Sequence, residues 1–292
     1  MRNSEEMFQL IMDVATNDER IRAVTMEGSR VSKNATHDEY CDFDISFVVN
    51  DIREFTMAHK WIEIFGDILI VQYPMDWYSH PYDYAGRNNF AYLIQLKDGN
   101  RIDLTLIDIS NIEKEQNYCE PRIVLLNKDN LKELKQVNDE SVFYIQKPSA
   151  MEYYNTCNEF RWLSLYVSKG LCREELYYAK YTYDVLMMEM FIKMLNWKIG
   201  VDNGFRVTTG NHSKYLKRFL SAEETERFHN VFPNGTYEDI WSKLYVIYDF
   251  FAELANYVGE ALGYHFGAKE TEDVRAFLAE RQRKSRNGLT EN

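Results

Sequence analysis

Two aspartates one residue apart, Asp42 and Asp44, open the stretch Asp42-Phe43-Asp44-Ile45-Ser46-Phe47-Val48-Val49, whose alternation reads as a strand. Strand side chains alternate between faces, so both carboxylates project one way while Phe43, Ile45 and Phe47 form the opposite, apolar face. Oxygen ligands at that spacing suit one or two Mg²⁺ ions, hard cations that keep nucleotide phosphates in their shell. A solvated strand face has the same pattern, so the surroundings decide. Gly28-Ser29-Arg30 ends a short strand, Ala23-Val24-Thr25-Met26, and Ser29 precedes Asp42 by 13 residues. Glycine lets backbone approach a phosphate, backbone amides and the Ser29 hydroxyl can bond its oxygens, and Arg30 adds a charged donor. Asp103, in Arg101-Ile102-Asp103-Leu104-Thr105-Leu106, shares one strand face with Thr105 while Leu104 and Leu106 share the other. It is either an edge-strand protector or a third metal ligand beside Asp42 and Asp44. Three carboxylates and a Gly-Ser turn in this order are a combined signal for metal-dependent nucleotidyl transfer.

These residues need a sheet to hold them, and residues 1–148 supply the pattern of one. Phe8, Ile11, Met12 and Ala15 recur at helical spacing behind Ser4, a candidate cap. A helix over 53–65 and a strand over 68–73 follow the Asp42 strand. Strands over 90–96 and 101–107 are joined through Lys97-Asp98-Gly99-Asn100, where Asp-Gly is a hairpin signal. From Ser149 the pattern turns to helical stretches over 150–168, 173–198, 212–220, 222–230, 236–262 and 270–284. Fourteen of the 21 tyrosines lie at or beyond Tyr144, as helix-helix packing requires. The expected architecture is an α/β N-terminal domain, a mixed sheet with helices, over 1–148, and an all-α helical domain over 149–292, with the junction at Lys147-Pro148-Ser149.

Composition narrows the partners. The 292 residues are 45% hydrophobic and 27% charged, which fits two globular cores. Lys+Arg total 34 and Asp+Glu 46, a net charge of −12, the wrong sign for a nucleic-acid-binding face. No apolar run approaches the roughly 20 residues that span a bilayer. The acidic start of the chain lacks a signal-peptide pattern, and Cys41, Cys119, Cys157 and Cys172 form no CxxC pair. A cytoplasmic protein with four free thiols, small-molecule partners and no nucleic-acid or membrane partner is the expectation. P-loop, GxGxxG, GxSxG and HExxH motifs are all missing.

The chain resembles the nucleotidyltransferase superfamily and, within it, the aminoglycoside 6-adenylyltransferases that inactivate streptomycin. The resemblance is carried by Met26-Glu27-Gly28-Ser29-Arg30, Asp42-Phe43-Asp44-Ile45-Ser46, Phe65-Gly66-Asp67, Arg101-Ile102-Asp103-Leu104-Thr105, Tyr178-Ala179-Lys180-Tyr181 and Gly210 through Lys217. It implies a nucleotidyltransferase domain over 1–148, a helical substrate-binding domain over 149–292, and transfer of AMP from ATP to an aminoglycoside hydroxyl with release of pyrophosphate. It further implies that Asp42 and Asp44 hold Mg²⁺ on the triphosphate, that Gly28, Ser29 and Arg30 hold its β/γ end, and that Asp103 is a metal ligand or a base. For the acceptor side, Asp184 lies four residues after Lys180 on one helix face, as a general base, an anchor for a drug cation, or half of a surface ion pair. Glu159 is a weaker candidate of the same type. Lys214, with Lys217, follows the Thr208-Thr209-Gly210 turn and is expected to meet the triphosphate at a helix start, although Asn211 replaces the family's second lysine there. Two other readings share the pattern: a protein or RNA acceptor, as in toxin-antitoxin members, and a nucleotide-binding module without turnover.

Overall fold

The computed structural model describes residues 2–76 and 89–288. The chain divides into two units, Met1–Val142 and Phe143–Asn292. The division falls ahead of Lys147-Pro148-Ser149 because Ile145 belongs to the second unit: its amide donates to the Val207 carbonyl at 2.9 Å and its side chain packs on the helical core.

In the first unit, helix α1 (Ser4–Asn17) buries Met7, Ile11, Val14 and Ala15. Its cap is Asn3 rather than Ser4, because Glu6 completes a reciprocal box with Asn3: each side chain accepts from the other's backbone N–H. Six strands follow: β1 (Ile21–Met26), β2 (Phe43–Val49), β3 (Ile68–Gln72), β4 (Asn89–Leu96), β5 (Arg101–Asp108) and β6 (Ile123–Asn127). Their order across the sheet is β3-β4-β5-β2-β1-β6. Only β2 and β5 pair in parallel, so the sheet is mixed. The expected helix over 53–65 is instead a single α turn, α2 (Arg53–Thr56), and a 3₁₀ segment, His59–Phe65, separated by Ala58 in extended backbone. The Asp-Gly hairpin forms between β4 and β5, with Gly99 at φ 95° and the Leu96 amide on the Asn100 carbonyl at 2.9 Å.

The two sheet faces are chemically opposed. Phe43, Ile45, Phe47, Ile102, Leu104 and Leu106 are buried in one cluster with Met7 and Ile11 of α1. Asp44, Ser46, Asp103 and Thr105 occupy the other face, which closes at its far end over a small cluster of Ala23, Val48, Ile107 and Leu134. Alternation on β2 and β5 thus sends Phe43, Ile45, Phe47, Ile102, Leu104 and Leu106 inward and hands the outer face to polar chemistry, except at its far end, where Val48 and Ile107 close it.

The second unit consists of α3 (Ala150–Cys172), α4 (Leu176–Tyr181), α5 (Met188–Asp202), α6 (Ala222–Asn230), α7 (Tyr237–Leu262) and α8 (Ala268–Gly288). Ser149 and Glu152 cap α3 reciprocally. Between α4 and α5 the helical path continues through a π segment, Thr182–Met187. Aromatic packing fills the core: Phe160 stacks on Phe251 at 3.7 Å, and the buried Tyr153 and Tyr183 hydroxyls donate to the Ala255 and Val231 carbonyls. The expected helix over 212–220 does not form. His212 and Ser213 sit in left-handed backbone at φ 50° and 58°, leaving two 3₁₀ turns, Asn211–Ser213 and Leu216–Arg218. Among the described residues no helix is long and apolar enough to cross a membrane.

Candidate active site

The parallel register of β2 on β5 sets Asp44 beside Asp103 and Ser46 beside Thr105. Asp44 is also clamped from the other side by the turn after β1. The Glu27 amide donates to the Asp44 carbonyl at 3.0 Å, and Gly28 adopts φ +71° directly against the carboxylate. A Cβ at Gly28 would lie 1.9 Å from Asp44 Oδ2, so only glycine fits this approach. Burial, followed by repulsion from Asp103, Asp42 and Glu27, pushes the Asp44 carboxyl up to about 6.

Asp42 stands one residue ahead of β2 instead of within it, half-buried. What joins it to Asp103 is Arg101. The Arg101 guanidinium donates to both Asp103 oxygens, at 2.7 and 2.8 Å, and its Nε lies 3.7 Å from Asp42 Oδ2. Among the described residues no three acidic, histidine or cysteine side chains converge into a ready-made metal cage. Arg101 is a cation that Asp42 and Asp103 share. The donor set nevertheless fits a divalent ion: hard oxygens, one of them on a half-buried carboxyl whose pKa is raised by desolvation and then by its acidic neighbours, despite the pull of Arg101.

Gly28–Arg30 forms a 3₁₀ turn with Ser29 half-buried at its centre. Arg30 is committed to the chain itself: Nε donates to the Asp42 carbonyl at 3.0 Å, Nη2 to the Cys41 carbonyl at 2.7 Å, and the guanidinium lies 3.7 Å above the Phe43 ring. These bonds use the Arg30 fork to fix the entry to β2.

Sequence reasoning passed over the wall of the adjoining pocket, a cavity of about 490 Å³ reaching from Asp44 and Asp103 to Arg122. Arg122 is 2% exposed; Nε donates to Glu27 Oε1 at 2.8 Å, Nη2 lies 2.7 Å from Glu115 Oε2, and Tyr118 stacks 3.5 Å from the guanidinium. Glu27 also accepts from Thr25 and Ser46, and burial raises its pKa even against these bonds. Glu27 had a faint signal, a charge following the apolar β1. Arg122 had none, since its partner Glu27 lies 95 residues away.

In the helical unit Asp184 sits in the π segment and pairs with Lys180 at 2.7 Å; Lys180 also donates to the Pro233 carbonyl at 3.0 Å. Glu159 is exposed on α3. Lys214 loses the helix start expected for it, because the left-handed backbone before it permits only a 3₁₀ turn; its Nζ lies 5.1 Å from the Tyr215 ring centre, and Lys217 is exposed.

A mixed sheet with a helix-covered apolar face, an acidic opposite face and a glycine turn against the central carboxylate is a nucleotidyltransferase domain, here followed by an all-α unit. The profile of the streptomycin adenylyltransferase family matches residues 1–281, and the chain belongs to that family. It is thereby an enzyme of the adenylyltransferase class. An aminoglycoside 6-adenylyltransferase of Bacillus subtilis (strain 168) is 35% identical over 267 residues, covering 91% of this chain and 93% of the relative. One from Campylobacter jejuni is 33% identical, covering 91% of each. The crystal structure of an aminoglycoside 6-adenyltransferase from Bacillus subtilis is 32% identical, covers 97% of this chain and 99% of that one, and has a TM-score of 0.48.

Proposed function

We propose that the protein transfers AMP from ATP to a hydroxyl of an aminoglycoside, the 6-hydroxyl of streptomycin, releasing pyrophosphate and inactivating the drug. The observation that carries this reading is Asp44, a half-buried carboxylate fixed by Gly28 on one side and facing Asp103 on the other. Asp42 and Asp44, with Asp103 beside them, would hold Mg²⁺, which would supply neutralisation of charge on the triphosphate and on the departing pyrophosphate. The amides of the Gly28 turn and the Ser29 hydroxyl bind the β/γ end of ATP. Arg30 positions Asp42 through its backbone. The acceptor oxygen forms a bond to the α-phosphorus as the bond to the pyrophosphate oxygen breaks. The hydroxyl proton passes to a carboxylate, and Asp103 is the one already beside Asp44.

Asp184 binds a cationic group of the drug, taking over from Lys180. The excess of acidic residues attracts such a polycation. The protein works in the cytoplasm, where ATP is supplied. Incubation with Mg²⁺-ATP and a panel of aminoglycosides tests the reading: pyrophosphate and a drug heavier by one AMP are expected with streptomycin. Turnover on no member of the panel, with ATP still bound, would overturn it. In the same assay Asp184→Asn should raise the KM for the drug and leave kcat unchanged, whereas a fall in kcat alone would make Asp184 the base.

A further inference from the structure

Arg101 is assigned no role by the reaction above, yet its guanidinium lies directly on two of the three carboxylates that the reaction needs. Its fork takes both oxygens of Asp103 at 2.7 and 2.8 Å, and its Nε reaches to 3.7 Å from Asp42. A divalent ion shared by Asp42, Asp44 and Asp103 would need the same oxygens. Two cations cannot occupy one such site without strong repulsion, since like charges a few ångströms apart in a partly desolvated pocket interact strongly. Arg101 is half exposed and sits at the first residue of β5, so its long side chain has water to swing into.

We propose that Arg101 is a positioning residue that holds the carboxylates in the metal's place and excludes free divalent cations, so that Mg²⁺ enters only when the charge of a nucleotide triphosphate comes with it. The inference rests on the proposed metal role of Asp42 and Asp44. Without nucleotide, the guanidinium balances Asp103 and Asp42 and the ion is disfavoured. With nucleotide, four phosphate charges accompany the ion, the combined charge no longer repels Arg101, and the guanidinium leaves the carboxylates for the triphosphate. When pyrophosphate departs, Arg101 returns to Asp103, which favours release of the metal together with the product.

Mn²⁺ titrated into the whole protein and followed by the electron paramagnetic resonance signal of the free ion tests this without turnover. Once the Mn²⁺ that the analogue chelates in a protein-free control is subtracted, the wild type is expected to bind Mn²⁺ weakly alone and at least about tenfold more tightly with a non-hydrolysable ATP analogue present, a factor of ten corresponding to about 1.4 kcal/mol. Arg101→Gln should bind Mn²⁺ alone at least about tenfold more tightly than the wild type, whereas Arg101→Lys, which keeps the charge, should stay near the wild type. Arg101→Ala repeats the measurement with a second neutral side chain should the glutamine variant fold poorly. Equal nucleotide-free affinity in the wild type and both neutral variants overturns the proposal and leaves the metal site standing. If the wild type binds no Mn²⁺ even with the analogue, the metal role of Asp42 and Asp44 fails, and the role of Arg101 falls with it.

Discussion

At Asp44 a charge is held where burial and three acidic neighbours oppose it. Asp44→Asn keeps the shape and removes the charge, so activity and stability should part. Turnover is expected to vanish, because a metal-binding oxygen is lost, while the melting temperature at pH 7 holds or rises, by about 1 kcal/mol of stability at most. Differential scanning fluorimetry beside the pyrophosphate assay checks both, and a large fall in stability would contradict the account of Asp44 as an electrostatically strained site. Gly28→Ala should behave oppositely. It strains a left-handed residue by about 1–3 kcal/mol and drives a methyl into the Asp44 carboxylate, so melting temperature and activity should fall together. The placement of Asp44, Asp103 and Gly28 follows from local pattern, strand alternation for the two aspartates and a glycine after a strand for the turn, whereas Asp42 lies ahead of β2 and strand alternation does not set its direction. Arg101 stands two residues before Asp103 on β5, so period two already sets both on one face, and the i,i+2 ion pair is legible in the motif although the sequence attaches no role to it. The Glu27–Arg122–Glu115 bridge is fully non-local and had to be seen.

The hairpin between β4 and β5 is the element that sets Asp103, and it is tied to the start of the chain. Arg2 Nε donates to Asp98 Oδ2 at 2.7 Å and the Asn100 amide to Asp98 Oδ1 at 3.0 Å. Burial raises the Asp98 pKa, but the hydrogen bonds from Arg2 and Asn100 outweigh it and hold the carboxyl well below the usual range. A depressed acid contributes stability that is full above its unfolded value, near pH 4, and is lost as pH falls toward the folded value. Asp98→Asn should therefore cost about 1 kcal/mol at pH 7, and the gap to the wild type should close between about pH 5 and pH 2 in denaturant titrations. A gap that is independent of pH would show that the loop, and not the charge, carries the tie. Elements with a strong period or a turn dipeptide, such as α1, α7 and this hairpin, are readable from sequence. The failures have local causes: Ala58 breaks 53–65, left-handed His212 and Ser213 break 212–220, and β6 is too short and too uniformly apolar to announce itself.

Over the whole molecule the charge of −12 acts at long range on both substrates. The screening length falls from about 10 Å at 0.1 M salt to about 3 Å at 1 M, so the KM for a polycationic drug should rise several-fold across that range. Steady-state kinetics in sodium chloride series, with a neutral salt-insensitive coupling assay, would show it, and a flat KM would remove long-range attraction from the account. The π segment between α4 and α5 has a consequence of another kind. Its turn holds one residue more than an α turn, so it offsets the phase of everything before it from everything after it by about 100°. Lys180 thus belongs to one rotational frame and the buried Phe191 and Leu195 of α5 to another, with Asp184 inside the offset turn. A lineage that gained or lost a single residue within Thr182–Met187 would turn Lys180 to a different bearing relative to α5, which, on the role proposed for Asp184, makes this one turn a dial by which drug preference can diverge.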